Sequence, residues 1–201
     1  MQVNDFFEDR YLLFRWRCNL ALVNKIALAF GMACLTGLVA QMKIFLPWTP
    51  VPITGQTFVV LLIAVFLGKW WGGISQAMYV LLGMAGIPWF AGWSGGCGAL
   101  IGPRGGYIIG FVLAALFIGY LTDKYPQTRR FLPLLGLMLF ANFVLIHLPG
   151  LLQLGLWSYM VQGASPTLLE LFWMGSLPFI AGDVIKVVSA AAVAKTMLPK
   201  F

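Results

Sequence analysis

The chain has 201 residues, of which 61% are hydrophobic and only 9% charged, and its net charge is +7. A soluble domain carries about 25% charged residues to cover its surface, so a water-soluble globular protein is excluded and lipid must be the main solvent. At about 20 apolar residues per spanning helix, the length allows roughly five to seven spans with short loops and no separate soluble domain.

Residues 1–19 form a segment of their own, a cytoplasmic or membrane-surface extension ahead of a membrane domain over residues 20–201. Asp5, Glu8, Asp9, Arg10, Arg15 and Arg17 alternate there with Phe6, Phe7, Tyr11 and Phe14. The pattern fits an amphipathic helix on the inner membrane face or a frayed extension. Acidic residues precede the basic ones and no small-residue cleavage site follows, which argues against a signal peptide.

The first span is predicted over about residues 20–42. It carries small residues at Ala29, Ala33 and Gly37, and again at Ala27 and Gly31. This spacing lets another helix approach closely, either within the bundle or from a partner. Pro47, Pro50 and Pro52 then forbid a regular helix. The second span, residues 56–68, is short, ~20 Å at 1.5 Å per residue. It is completed by part of the preceding loop at membrane depth or packs inside a bundle. Lys69 marks a tight turn, and the third span covers residues 70–86. A long Gly-rich loop follows, containing Trp89, Phe90 and Trp93. The fourth span covers residues 105–122, the fifth 131–152 and the sixth 168–197.

Counting Lys and Arg orients these spans. With the N-terminus inside, the inner segments hold Arg10, Arg15, Arg17, Lys25, Lys69, Lys124, Arg129, Arg130, Lys195 and Lys200, and the outer loops only Lys43 and Arg104. This bias places both termini in the cytoplasm and the Pro-rich and Gly/Trp-rich loops outside. It also accounts for the positive charge as a topology signal rather than nucleic-acid binding.

Asp183 and Lys186 are the most informative residues. They lie three apart, on one face of a helix, about midway along the sixth span. An ionisable group at membrane depth costs several kcal/mol unless paired or hydrated, and marks a functional site by default; a purely structural pair is the alternative. Asn142, Gln56, Tyr79 and Tyr107 are further polar groups, each a candidate ligand contact or an interhelical hydrogen bond. Arg104 stands at the outer mouth before the fourth span, where helix N–H groups add to its pull on an anion. His147, the single histidine, reads as a packed residue rather than a metal ligand, and no metal site is expected. Cys18, Cys34 and Cys97 form no metal or redox motif. No Walker A, HExxH or GxSxG sequence occurs, so no catalytic residue is assigned and no enzyme class is announced; energy for any pumping must come from elsewhere.

The runs VPITGQTFVVLLIAVFLG, YVLLGMAGIPWFAG, GPRGGYIIGF and FIAGDVIKV together resemble the BioY family, the biotin-binding S-components of energy-coupling factor (ECF) importers. The resemblance covers residues 20–197 and omits residues 1–19; Arg104 stands where the family motif has a small residue. It implies an all-α integral membrane protein, a six-transmembrane-helix bundle of the ECF S-component type in the cell membrane. It implies biotin as ligand, no cofactor, and as partners a transmembrane coupling protein and cytoplasmic ATPases. Under that resemblance Asp183 accepts from a ureido N–H and Lys186 donates to the ureido carbonyl or holds Asp183 ionised. Trp89, Phe90 and Trp93 close over the rings, Arg104 meets the carboxylate, and Ala29, Ala33 and Gly37 dock the coupling protein. The alternatives are an S-component for another vitamin, a small stand-alone carrier or channel, and an intramembrane enzyme with Asp183 as base, which lacks a nucleophile or metal partner.

Overall fold

The computed structural model describes residues 16, 17 and 19–198. In chain order these form α1 (Leu22–Val39), β1 (Lys43–Ile44), β2 (Ile53–Thr54), α2 (Gln56–Met84), α3 (Cys97–Ile101), α4 (Gly105–Lys124), a 3₁₀ turn (Pro126–Arg129), α5 (Phe131–Phe140), a π turn (Ala141–Ile146), α6 (His147–Gln162), α7 (Leu168–Gly175) and α8 (Leu177–Met197). Five of the described helices are long and apolar enough to cross a membrane, α5, the π turn and α6 acting as one 32-residue run. The Pro-rich loop is a hairpin whose two short strands pair Lys43 with Thr54 and Ile44 with Ile53, a ribbon the proline density did not suggest.

The second and third predicted spans are the two arms of α2. Gly68 breaks that helix with φ +75° and ψ −174°, a conformation open to glycine and strained for other residues. The arms fold back on each other, because a Cβ on Gly72 would lie 3.2 Å from Ala64 Cα, whereas eight residues of straight helix span about 12 Å. With the two arms counted separately, the described residues form six long apolar segments. The break is held by Asp123, which accepts from the Lys69 N–H at 3.0 Å and pairs with Arg17. Arg17 also donates to the carbonyls of Val65 and Phe66 at 3.2 Å each, groups that the end of the first arm leaves without helical partners. Thus Arg17, from the segment set apart in the sequence, belongs to the end of the bundle at which α2 breaks; residues 1–15 and 18, on which the rest of the expected extension falls, lie outside the described residues.

The first arm of α2 is buried along most of its length, with Val59, Val60, Leu61, Ile63, Ala64, Val65 and Leu67 all inside. It therefore packs within the bundle rather than facing lipid. α4 lies against the break in α2 through Gly119, where a Cβ would come within 2.5 Å of Lys69 N. Gly106 and Gly110, one turn apart on α4, let the π turn and α6 approach. A Cβ on Gly110 would sit 2.6 Å from Leu145 O and 2.7 Å from Ile146 Cα, and one on Gly106 would collide with Pro149 O. This is a GxxxG contact of the kind that brings membrane helices into backbone contact.

Three expectations are corrected. The fifth span runs on to Gln162 and stops at Gly163, whose φ of +66° makes a left-handed cap. It passes Pro149 because the preceding turn widens to π geometry, accommodating a ring that would clash with the carbonyl four residues back. The sixth predicted span is two helices, divided at Ser176 (φ −131°, ψ −50°), since Pro178 is suited to the first turn of a helix and not to its interior. A capping box starts α7, with Thr167 Oγ1 accepting from Glu170 N and Glu170 Oε2 from Thr167 N. Finally, Ala29, Ala33 and Gly37 face into the bundle and are buried, while Leu22, Val23, Phe30 and Leu38 face out. They pack α1 onto the bundle and do not form an open docking face. Small side chains are what that close approach requires.

Candidate functional site

The first arm of α2 has about 12 residues and is ~18 Å long, against a hydrocarbon core of ~30 Å. Space is left beyond its Gln56 end, and a cavity of about 620 Å³, mouth included, occupies it. Gln56 and Thr57 form its floor; Val51, Pro52 and Thr54 come from the hairpin, Phe90 and Ala91 from the Gly-rich loop, and Arg104, Tyr107, Ile108 and Phe111 from α4. His147 from α6 and Phe179, Asp183 and Lys186 from α8 complete the wall. It is an apolar enclosure with a few converging polar groups, the usual character of a small-molecule site.

Asp183 is the centre of the polar part. Its Oδ2 accepts from Asn142 Nδ2 at 3.0 Å and from His147 Nε2 at 2.8 Å, and its Oδ1 lies 2.5 Å from Lys186 Nζ. Lys186 Nζ also donates to Thr54 O at 3.0 Å, tying the hairpin to α8. The division at Ser176 puts Asp183 in the second turn of α8, nearer the N-terminal end of its helix than the midpoint expected.

His147 is the site residue that sequence reasoning missed. Five residues of α-helix would turn it about 140° away from Asn142. The π turn between them adds a residue to the turn, and both side chains reach Asp183. The other ring nitrogen, Nδ1, lies 2.9 Å from Ser176 Oγ. An ionised carboxylate only accepts, so Nε2 carries the hydrogen and Nδ1 meets the hydroxyl. The order Ser176–His147–Asp183 has the form of a nucleophile relay, but Ser176 is not among the residues lining the cavity. Its hydroxyl fixes the imidazole that holds Asp183. Tyr107 packs edge-on against His147 at 5.8 Å and donates to Gly175 O at 2.7 Å, so the helix break is held by two residues of the cavity wall.

The remaining predicted residues separate by role. Gln56 lines the cavity; its Nε2 donates to Tyr79 Oη at 2.8 Å, and Thr54 Oγ1 donates to its Oε1 at 3.1 Å. Tyr79 and Asn142 stand behind the wall. Of the three loop aromatics, only Phe90 faces the cavity. Trp89 is buried behind it, its indole N–H donating to Tyr79 O at 3.0 Å. Trp93 is 65% exposed, because Gly92 (φ +83°) and Trp93 (φ +56°) turn the chain outward. The expectation that both tryptophans close over a ligand is thereby corrected. Arg104 does face the cavity, but it also donates to Ala91 O at 2.8 Å and Ser94 Oγ at 3.4 Å. Burial holds its guanidinium below its ordinary value, with Tyr79 acting in the opposite sense; an anion brought beside it would offset that cost.

A family model described as the BioY family matches residues 11–201, starting earlier than the sequence resemblance. A protein of Methanothermobacter thermautotrophicus named "Probable biotin transporter BioY" is 53% identical over 136 residues, 68% of this chain and 87% of that one. One of Thermotoga maritima named "Biotin transporter BioY" is 38% identical over 151 residues, 75% of this chain and 83% of that one. The crystal structure of an S-component for biotin from an ECF-type ABC transporter superposes with a TM-score of 0.75 at 25% identity, covering 86% of this chain and 89% of that one.

Proposed function

The chain belongs to the BioY family, and on that premise we propose that it binds biotin and serves its uptake as the substrate-specific subunit of an ECF-type ABC importer. The observation that carries this is the hydrogen-bonding capacity left on the Asp183–Lys186 pair. A carboxylate offers about four acceptor positions and an ammonium three donors. Asp183 accepts three bonds, from Asn142, His147 and Lys186, and Lys186 donates two, to Asp183 and Thr54. One acceptor and one donor remain side by side at the cavity wall. That pair matches the N–H and C=O edge of a ureido ring. Phe90, Phe111 and Phe179 supply apolar walls for the thioether ring, and Arg104 is the cation for the carboxylate.

The test is the ligand the protein carries from cells. Mass spectrometry of protein purified in detergent is expected to find biotin near one per chain. Calorimetry after its removal is expected to show biotin rebinding, with riboflavin and thiamine giving no heat. A different vitamin bound in place of biotin would overturn the assignment.

Uptake also needs partners. With no ATP-binding motif in its sequence, the chain relies on a coupling subunit and ATPases for energy. The exposed face of α1 is a candidate for the coupling subunit: Ala27 and Gly31 lie on it, and a Cβ on Gly31 would meet nothing within 4 Å. The distribution of basic residues supports an orientation with both termini inside and the cavity mouth outside. Cys97 is exposed in the outer loop, so an impermeant maleimide added to intact cells is expected to label it. Gln127→Cys in a Cys97→Ser background is expected to stay unlabelled until the membrane is opened. The reverse pattern would invert the orientation.

A further inference from the structure

We infer that Gln41, just beyond α1 and outside the cavity, is a positioning residue that latches the ligand-covering loop to the bundle. Its Nε2 lies 3.1 Å from Gly37 O, 3.2 Å from Trp89 O and 3.1 Å from Phe90 O. Its Oε1 accepts from the backbone N–H groups of Gly92 at 3.1 Å and Trp93 at 3.0 Å. One side-chain amide thus satisfies donors and acceptors on both sides of Ala91, which with Phe90 lines the cavity.

Local backbone geometry supports this role. Gly92 and Trp93 both have positive φ, a pairing uncommon for a tryptophan. It aims two successive N–H groups at one oxygen, as in a backbone nest. The backbone bonds between Phe90 and Ser94 (2.9 and 3.3 Å) close the same turn from its ends, and the Gln41 oxygen satisfies the two N–H groups at its tip. One helical turn before Gln41, Gly37 provides a seat for Trp89: a Cβ there would lie 2.9 Å from Trp89 Cβ. Across the loop, Arg104 holds Ala91 O and Ser94 Oγ. The loop is therefore clamped between α1 and α4, and Gln41 is the clamp on the α1 side. Phe90 and Ala91 form part of the cavity wall, so on this proposal loosening the loop at Gln41 lets a bound ligand leave faster. Gln41 also joins the cover to the helix whose outer face is open to a partner.

The inference rests on the biotin reading only for its second measurement. The first is hydrogen exchange on ligand-free protein. In Gln41→Leu the amides of Gly92 and Trp93 are expected to exchange about tenfold faster or more, having lost their acceptor. In Gln41→Glu, which keeps acceptor oxygens but cannot donate to the Trp89 and Phe90 carbonyls, those two amides stay protected. The second is biotin kinetics. Dissociation is expected to quicken about tenfold in Gln41→Leu and by less in Gln41→Glu, with association changed about twofold at most. The melting temperature of the ligand-free protein should stay close to the parent's. Unchanged exchange in Gln41→Leu, or faster exchange with unchanged dissociation, would overturn the latch. Should Gln41→Leu fail to fold, a Gln41→Glu that dissociates like the parent overturns it as well. A parent protein that takes no biotin overturns the biotin reading instead, and the exchange measurement still decides the latch.

Discussion

Asp183→Asn is expected to lose about 3 kcal/mol of biotin binding, a hundredfold or more in affinity. The carboxylate receives three donors, from Asn142, His147 and Lys186, and has an acceptor position left for the ligand. An amide of the same shape has one oxygen to offer, and its NH₂ faces donors. One of Asn142, His147 and the ligand N–H is then left without a partner, which adds to the loss of the charge-assisted bond. Lys186 is left as a largely buried cation with no anion, so stability falls too. Removing one member of a buried pair costs about 3–5 kcal/mol. Lys186→Met is expected to weaken binding by a similar factor and also to free the hairpin at Thr54. The double variant should lose much less than the two losses combined, since each single change already breaks the pair. Calorimetry on detergent-solubilised protein, with melting followed in parallel, reads both effects. If Asp183→Asn binds biotin like the parent, the network is structural and the ligand lies elsewhere.

Gly110→Leu is expected to remove about 3 kcal/mol of stability, with melting lowered by roughly 10 °C, and to abolish biotin binding. The first added atom alone would lie 2.6 Å from Leu145 O and 2.7 Å from Ile146 Cα. Neither backbone can yield without moving the π turn, which sets Asn142 and His147 against Asp183. Stability and binding should therefore fall together. Gly136→Ala is the control. Nothing lies within 4 Å of the added Cβ, and alanine suits a helix interior better than glycine, so melting should hold or rise slightly and binding should not change. If Gly110→Leu melts with the parent, the close contact of α4 with the π turn is wrong.

Much of the fold could be read from the chain because lipid imposes few choices. Long apolar runs bounded by charge become spans, and an Asp–Lys pair within one has few explanations. The missing parts share other causes. A helix in lipid is apolar on both faces, so α1 gives no periodic sign of which small residues turn inward, and Ala29, Ala33 and Gly37 were assigned outward. His147 escaped because its face depends on a π turn, which shifts the helical phase and has no simple sequence sign. Gln41 looks like any polar residue at a span end; only the folded loop shows what its amide meets. The Gly106–Gly110 contact has the GxxxG spacing in the sequence, but that spacing alone does not name the helix it meets. Trp93 looked like a lid residue by composition, and the positive φ values that turn it outward belong to the loop's three-dimensional path.

The shortness of the first arm of α2 also bears on how the chain enters a membrane during synthesis. About 12 residues cannot reach across the hydrocarbon, and this arm begins with Gln56 and Thr57, which are poorly suited to it. The turn at Gly68 is too tight to let its partner arm be placed separately. The arms are expected to pass from the translocation machinery into the bilayer together, as a helical hairpin, which brings Gln56 of one arm within reach of Tyr79 of the other, its partner in the folded chain. The helices that later shield them, α4 and α8, are made afterwards. Until α4 arrives, Asp123 is absent and the turn has only Arg17 to hold it. A pause or truncation between residues 84 and 105 would therefore leave the most buried segment of the finished protein facing lipid with its ends unsatisfied, and such nascent chains are the ones expected to need a membrane chaperone.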